Sequence, residues 1–161
     1  MKKEVVIILD NIRSAYNVGS IFRTADGAGV EKVYLLGYTP TPVDRFGREQ
    51  PEIAKTSLGA SEIIPSEHIK MENTEELIGS LKREGFQIVA IEQTSDSISL
   101  DDFTVPAKVC YILGNEIDGV SQELLTMADL AVEIPMLGQK ESLNVSVAAG
   151  IALFHRGSSR A

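Results

Sequence analysis

The sequence has no tryptophan, a single cysteine and only two histidines, and it contains no long hydrophobic run. One cysteine excludes an intramolecular disulfide, and Cys110 with the distant His68 and His155 does not make the ligand set of a zinc site. The apolar run Val5–Leu9 is too short for a signal peptide and ends at Asp10, and no stretch approaches the ~18 apolar residues of a membrane span. These absences predict a protein of the reducing cytoplasm.

The cysteine lies in an apolar, β-branched run that is typical of a buried strand. A reactive thiolate needs an accessible, electropositive setting, which the neighbours of Cys110 do not supply. The pattern therefore favours a structural thiol over a nucleophile.

The net charge of −8 is distributed unevenly along the chain. Residues 61–102 hold ten acids and three bases, whereas residues 1–60 hold seven acids and eight bases. A broad basic footprint for nucleic acid is absent, but contact with RNA through either end of the chain is not excluded.

The length of 161 residues and the 43% hydrophobic content predict one globular domain over residues 1–157, with 158–161 as a flexible tail. Short, fully apolar runs alternate with segments of helical pattern. This alternation predicts an α/β fold with a mostly parallel sheet flanked by helices. The predicted strands are 5–9, 33–36, 63–64, 86–91, 109–113 and 130–134. The predicted helices are 17–28, 74–84, 121–127 and 144–156, with a loop over 37–51.

Three polar segments each follow the end of a predicted strand, and ligands bind at that edge of open α/β sheets. In residues 10–23, Asn17 is expected to cap a helix, Gly19 to let another backbone approach, and Arg23 to lie nearly two turns along. Taken alone, this segment is as compatible with an ordinary capped helix that carries a surface arginine as it is with a ligand site. It lacks the glycine pattern of a dinucleotide site.

The second segment, residues 113–121, places Gly114 directly after a strand, where its backbone is open to a ligand, with Glu116 and Asp118 beside it. Taken alone, the segment is better explained by a simple turn with solvated acids than by a ligand site. The third, residues 134–150, is rich in small and hydroxylated residues and has no charged face. That composition is typical of backbone packed tightly against other backbone or against a ligand.

Taken in order, the three segments resemble the motifs of the SpoU family of RNA methyltransferases, in the SPOUT class. The resemblance covers residues 5–156, almost the whole chain. It implies a deep C-terminal trefoil knot, a homodimer, and methylation of a ribose 2′-hydroxyl in tRNA or rRNA with S-adenosylmethionine as the methyl donor. The resemblance also implies that the reaction needs no metal and that the protein does not bind a membrane. The knot would explain the small residues as crossing points; these are Gly138, Ser142, Ser146, Ala148, Ala149 and Gly150.

The resemblance also assigns residues. The implied cofactor contacts are Glu92, within the stretch Ile91–Gln93 near the adenosine, and Gly114, Ile134, Met136, Ser142 and Leu143. The implied catalytic group consists of Arg23 with Asn17, Glu116, Ser142 and Asn144. Because a guanidinium effectively never deprotonates, we expect Arg23 to clamp a phosphate and stabilise the developing alkoxide rather than act as a base.

For RNA contact the candidates are six cations: Arg13, Arg45, Arg48, Lys55, Lys140 and Arg156. A cation of this kind is more often an ordinary solvated side chain, and Arg13 is the strongest candidate because it directly precedes the first motif. A second subunit would supply part of the RNA surface. The sequence favours tRNA, with the wobble nucleotide as a candidate target. Two alternatives stay open: an RNA-binding or assembly factor without turnover, and a base methyltransferase of the same class.

Overall fold

The computed structural model describes residues 2–157, so the tail predicted over 158–161 lies outside the described residues. Its seven strands are β1 (Glu4–Asp10), β2 (Lys32–Leu36), β3 (Ser66–Ile69), β4 (Gln87–Ile91), β5 (Ile98–Ser99), β6 (Lys108–Leu113) and β7 (Leu130–Glu133). Its six α-helices are α1 (Ala15–Ala28), α2 (Pro51–Ser57), α3 (Ala60–Ile63), α4 (Thr74–Arg83), α5 (Gln122–Met127) and α6 (Val145–Phe154). Short 3-10 helices cover Met71–Asn73 and Leu100–Asp102.

All seven strands form one parallel sheet in the order β3-β2-β1-β6-β4-β7-β5. The central strands are buried on both faces because their successive side chains enter two different cores. In β1, Ile7 and Leu9 pack into one core and Val6 and Ile8 into the other. The predicted parallel α/β sheet is therefore confirmed.

Helices cover both faces of the sheet. Helices α1, α2, α3 and α6 contribute apolar side chains to the core that contains Ile7. Helices α4 and α5 contribute apolar side chains to the core on the other face, which contains Ile8. Cys110 lies in the second core and is fully buried, and this burial raises the pKa of its thiol far above the ordinary range. This setting agrees with a structural role for the cysteine.

Two local predictions were wrong. Ser14, not Asn17, caps α1: its hydroxyl accepts a hydrogen bond from the backbone N–H of Asn17 at 3.1 Å, so Asn17 already lies in the first turn. Residues 63–64 are not a strand; Ile63 ends the short helix α3, and the strand follows at Ser66.

Other boundaries shifted by only a few residues. Gly29 ends α1 with a φ of 78°, as its position predicted. Strand β7 ends one residue before Ile134, and α6 ends at Phe154. Within residues 2–157, no helix is both long enough and apolar enough to cross a membrane.

Candidate functional site

A cleft of about 230 Å³ opens where β4, β6 and β7 reach their carboxyl ends. We call it the edge cleft. One part of its wall comes from residues 91–93 after β4, a second from 113–119 after β6, and a third from 133–148, which connect β7 to α6. Because the strands are parallel, their carboxyl ends lie at the same edge of the sheet, and the three segments meet there. Ligands of open α/β sheets bind at this edge.

The loop after β6 folds back on itself through two glycines. Asn115 and Gly119 exchange backbone hydrogen bonds of 3.0 and 2.9 Å. A Cβ on Gly114 would lie 2.2 Å from the backbone of Gly119 and Val120, and Gly119 itself adopts a φ of 71°. Both positions therefore require glycine, and the fold-back leaves the backbone of Gly114 facing the cleft.

Three carboxylates hold this loop in place by accepting backbone hydrogen bonds. Glu92 accepts from Val120 N–H at 3.0 Å, and Asp10 accepts from Ser121 N–H at 2.8 Å. Glu116, on the loop itself, accepts from Arg13 N–H at 3.1 and 3.2 Å and so joins the loop to the segment before α1. The wall of the cleft is therefore fixed before any ligand binds.

Asp10 is 1% exposed, and its burial raises the pKa of the carboxyl above the ordinary value of 3.8, although the hydrogen bonds from Ser121 oppose the shift. Desolvation disfavours the charged form of a buried acid. The loop is thus held by a carboxylate whose ionisation is itself unfavourable.

Asn115 connects the edge cleft to two neighbouring loops, a role that the sequence did not suggest. Its side-chain N–H group donates to Asn11 O at 2.7 Å and to Tyr38 Oη at 2.8 Å. Its side-chain oxygen accepts from the N–H groups of Ile117 and Asp118 at 2.8 and 3.0 Å. Asn115 belongs to the second polar segment, residues 113–121. Its supporting role is visible only in the structure, where the side chain is buried.

All six residues assigned to the cofactor line the edge cleft: Glu92, Gly114, Ile134, Met136, Ser142 and Leu143. The carboxylate of Glu92 already accepts from Val120, so its placement near an adenosine stays a prediction. Gln93 donates its side-chain N–H to Glu141 O at 3.0 Å and ties the third segment to the first. Val145 and Ala148 add apolar surface from α6, which the sequence did not assign.

The residues assigned to catalysis fall into two places. Glu116 and Ser142 line the edge cleft, and Asn144 donates a long hydrogen bond of 3.4 Å to Asn17 beside it. Arg23 is exposed and lines a separate groove of about 640 Å³. The structure therefore places Glu116 and Ser142 in the edge cleft, pairs Asn17 with Asn144, and leaves Arg23 apart.

Helices α1 and α6 explain this separation because they run side by side in the same direction. Asn17 meets Asn144 near their starts, and a Cβ on Gly27 would lie 3.4 Å from the ring of Phe154 near their ends. Arg23 follows Asn17 by six residues, or about 9 Å along the axis. Its groove also contains Tyr16.

The six cations assigned to RNA are all exposed. Arg45 and Arg48 lie together in a groove formed by the loop after β2, and Lys55 lies in the same groove as Arg23. Arg13 precedes α1 beside Glu116, Lys140 lies in the segment before α6, and Arg156 follows that helix.

The small residues of the third segment do not all mark close crossings. Among the described residues, a Cβ on Gly138 would meet no atom within 4 Å, and one on Gly150 would make an ordinary 3.7 Å contact with Thr24. The crossing explanation is therefore wrong for these two glycines. Ala149, in contrast, is fully buried in the core beneath Ile7.

Gly19 does mark a close approach, as predicted. A Cβ there would lie 2.8 Å from the backbone oxygen of Ile53 and 1.8 Å from the hydroxyl of Thr56. Helices α1 and α2 therefore pack directly at this glycine.

Comparison with known proteins adds a family match. The model of the SpoU rRNA Methylase family matches residues 4–154. A tRNA (guanosine(18)-2′-O)-methyltransferase of Aquifex aeolicus is 32% identical over 95% of this chain and 68% of its own length. A 23S rRNA (guanosine-2′-O-)-methyltransferase of Neisseria meningitidis is 33% identical over 92% of this chain and 56% of its own length.

Solved structures show the same fold. An rRNA methyltransferase from Sinorhizobium meliloti with bound AdoMet superposes with a TM-score of 0.84 at 30% identity, over 97% of this chain and 56% of that chain. The chain thus spans 56% of the length of the Neisseria and Sinorhizobium proteins and 68% of the length of the Aquifex protein.

Proposed function

The chain belongs to the SpoU rRNA methylase family, and from this premise we propose that it transfers the methyl group of S-adenosylmethionine to a ribose 2′-hydroxyl of RNA. The observation that carries the proposal is the convergence of six family-assigned residues from three segments on one cleft. The relatives in the Aquifex and Neisseria proteomes carry names of 2′-O-methyltransferases, which supports ribose over base as the acceptor.

The edge cleft has the donor set that an adenosine-containing ligand needs. Gly114 lines the cleft with backbone alone, and Ile134 and Leu143 offer apolar surface. Apolar walls with a few fixed polar groups are typical of nucleoside sites. When bound, S-adenosylmethionine would supply an electrophilic methyl group on its sulfonium.

The chain's own residues would prepare the ribose oxygen for attack. Asn17 and Asn144, joined at the rim of the cleft, would orient the hydroxyl, and Ser142 would line the approach. Arg23 would hold a neighbouring phosphate and stabilise negative charge on the oxygen as its proton leaves to phosphate or water. Glu116 would act by positioning, since its carboxylate already holds the segment before α1.

A homodimer would explain why Arg23 lies apart from the cleft. Helix α6 exposes Val147, Ile151 and Phe154, which are 48%, 40% and 51% exposed, and Tyr16 continues this apolar face beside Arg23. Apolar residues in one contiguous patch mark an interaction surface. We take a second copy of this chain as the occupant, so that the groove of Arg23 and the edge cleft meet at a shared boundary.

We also propose that the chain forms the trefoil knot. We further propose that it acts on RNA in the cytoplasm. The bond from Gln93 to Glu141 supports the knot, because it holds the segment before α6 against the loop after β4. We propose tRNA as the substrate class, because a tRNA 2′-O-methyltransferase is 32% identical over 95% of this chain, and assays with tRNA and rRNA side by side test this choice. The wobble nucleotide is the first position to examine.

The test has two stages. Isothermal titration calorimetry with S-adenosylmethionine measures whether the edge cleft takes the cofactor. Incubation of the protein with unmodified tRNA or rRNA and methyl-labelled cofactor then measures transfer. Cofactor binding without transfer to any RNA would favour an assembly factor, and label in a base would make the protein a base methyltransferase.

A further inference from the structure

The loop after β2 forms a compact turn that presents an aromatic ring to solvent. Val43 and Glu49 pair in an antiparallel bridge, and Gln50 N–H donates to Pro42 O at 2.9 Å. Phe46 lies at the tip and is 66% exposed. We call residues 42–50 the Phe46 turn.

The Phe46 turn is held rigidly by one carboxylate. Asp44 accepts hydrogen bonds from the backbone N–H groups of Phe46 and Arg48 at 2.8 and 2.9 Å, and its second oxygen accepts from Arg48 Nε at 2.9 Å. The hydrogen bond from Arg48 lowers the pKa of Asp44, so the anchor persists in mildly acidic solution. The bonds to Asp44 thus present the ring of Phe46 to solvent at a defined position.

Two arginines pack against this ring. The guanidinium carbons of Arg45 and Arg48 lie 4.8 and 5.0 Å from the centre of the Phe46 ring. Arg48 is paired with Asp44, but Arg45 makes no ion pair within residues 2–157. The turn therefore offers flat aromatic and guanidinium surfaces, and Arg45 is its cation outside the Asp44–Arg48 pair, with Glu49 in the same groove.

One hydrogen bond connects the groove of the Phe46 turn to the edge cleft. The groove of about 810 Å³ that contains Phe46 is also lined by Tyr38, which is 58% exposed. Tyr38 Oη accepts a hydrogen bond of 2.8 Å from Asn115, and Asn115 lines the edge cleft. The groove therefore lies next to the edge cleft, within reach of a polynucleotide that has one residue in the cleft.

We propose that the Phe46 turn binds an unpaired nucleotide of the RNA substrate by base stacking, with Arg45 contacting the adjoining phosphate. Bases stack on aromatic rings and on guanidinium planes only when they are free of a duplex. The target ribose therefore lies in a single-stranded loop rather than in a helix. This inference rests on the proposed function in taking RNA as the ligand.

Fluorescence anisotropy with the full-length protein tests the proposal. The probes are a labelled oligouridine and the same strand annealed to oligoadenosine. Phe46→Ala should weaken oligouridine binding by about 5- to 150-fold, the loss expected from one stacked base, and Phe46→Trp should restore it. Ile63→Ala, at a 69% exposed position outside the groove, is the matched control and should bind like the wild type.

Salt dependence separates stacking from charge. Arg45→Gln should lower the slope of log K against log salt by about 0.7, the value for one phosphate contact on a single strand, whereas Phe46→Ala should leave the slope unchanged. Circular dichroism melting confirms that each variant is folded. Equal affinity of wild type and Phe46→Ala, or preference of the wild type for the duplex, would overturn the proposal.

The outcome is distinguishable from failure of the proposed function. If the wild type methylates RNA but Phe46→Ala binds oligouridine normally, the stacking surface is wrong and the activity stands. If no methyl is transferred but Phe46→Ala still weakens binding, the surface stands and the activity is wrong. Wild-type protein that binds neither probe overturns the stacking proposal directly.

Discussion

The sharpest consequence of the site geometry concerns Gly114. In Gly114→Ala, the added Cβ would lie 2.2 Å from two backbone atoms, Gly119 C and Val120 N. Ordinary contact begins near 3.4 Å, so the two backbone segments must separate by about 1 Å. No flexible side chain can absorb this clash, because both obstructing atoms belong to the main chain.

The separation acts on the hydrogen bonds that close the loop. These include the Asn115–Gly119 pair and the bond from Val120 to Glu92. Overpacking of this kind costs about 1–3 kcal/mol of folding free energy. Weakening the proposed backbone contact of Gly114 to the cofactor costs about 1–2 kcal/mol of binding free energy, which raises the Kd for S-adenosylmethionine about 5- to 30-fold.

Isothermal titration calorimetry measures the Kd, and thermal melting measures stability. Gly138→Ala is the matched control, because the same substitution there meets open space within the described residues and should change neither quantity. If Gly114→Ala bound the cofactor as tightly as the wild type, the edge cleft would not be the cofactor site described above.

Three further predictions follow from other parts of the site. Arg23→Lys should lower kcat by about tenfold or more in single-turnover assays, since an ammonium cannot hold a phosphate bidentately; near-wild-type turnover would remove the proposed role. Asp10→Asn removes a carboxyl whose pKa is raised by burial. Because the folded wild-type protein binds the Asp10 proton more tightly than the unfolded chain does, its stability relative to Asp10→Asn should fall as pH rises above about 4; a melting-point difference, wild type minus Asp10→Asn, that stays constant or increases with rising pH would contradict this. Ile151→Glu should yield monomers in sedimentation velocity, whereas an unchanged sedimentation coefficient would place the dimer interface elsewhere.

The sheet was predictable because its strands carry a simple signature. Val5–Leu9 and Val109–Leu113 are apolar throughout, which is what burial on both faces of a parallel sheet requires. The edge strands β3 and β5 lack this signature because they are short and largely exposed, so β5 was missed and β3 was placed at the wrong residues.

Local capping was harder to predict. Ser14 and Asn17 are both good caps by composition, and the sequence offered no way to choose between them. The structure shows that Asn17 faces Asn144 instead. A long-range contact of this kind outweighs local preference and cannot be seen in a short window of sequence.

The candidate site was predictable only as a set of segments. Family resemblance placed Gly114, Ser142 and Leu143 together, and the fold brings them to one cleft. The supporting contacts were not foreseen, because they join residues far apart in the chain: Asp10 holds Ser121, and Asn115 holds Tyr38. Burial of Asp10 and Asn115 identifies both as structural supports of the cleft.

The most direct test of the account uses S-adenosylmethionine with a deuterated methyl group. The purified protein is incubated with RNA that lacks its modification, and the digested nucleosides are analysed by mass spectrometry. The account predicts deuterium in a single 2′-O-methyl nucleoside, with the label reduced in Gly114→Ala at a cofactor concentration near the wild-type Kd and unchanged in Gly138→Ala. Label found in a nucleobase, or no label in any RNA from a protein that binds the cofactor, would contradict it.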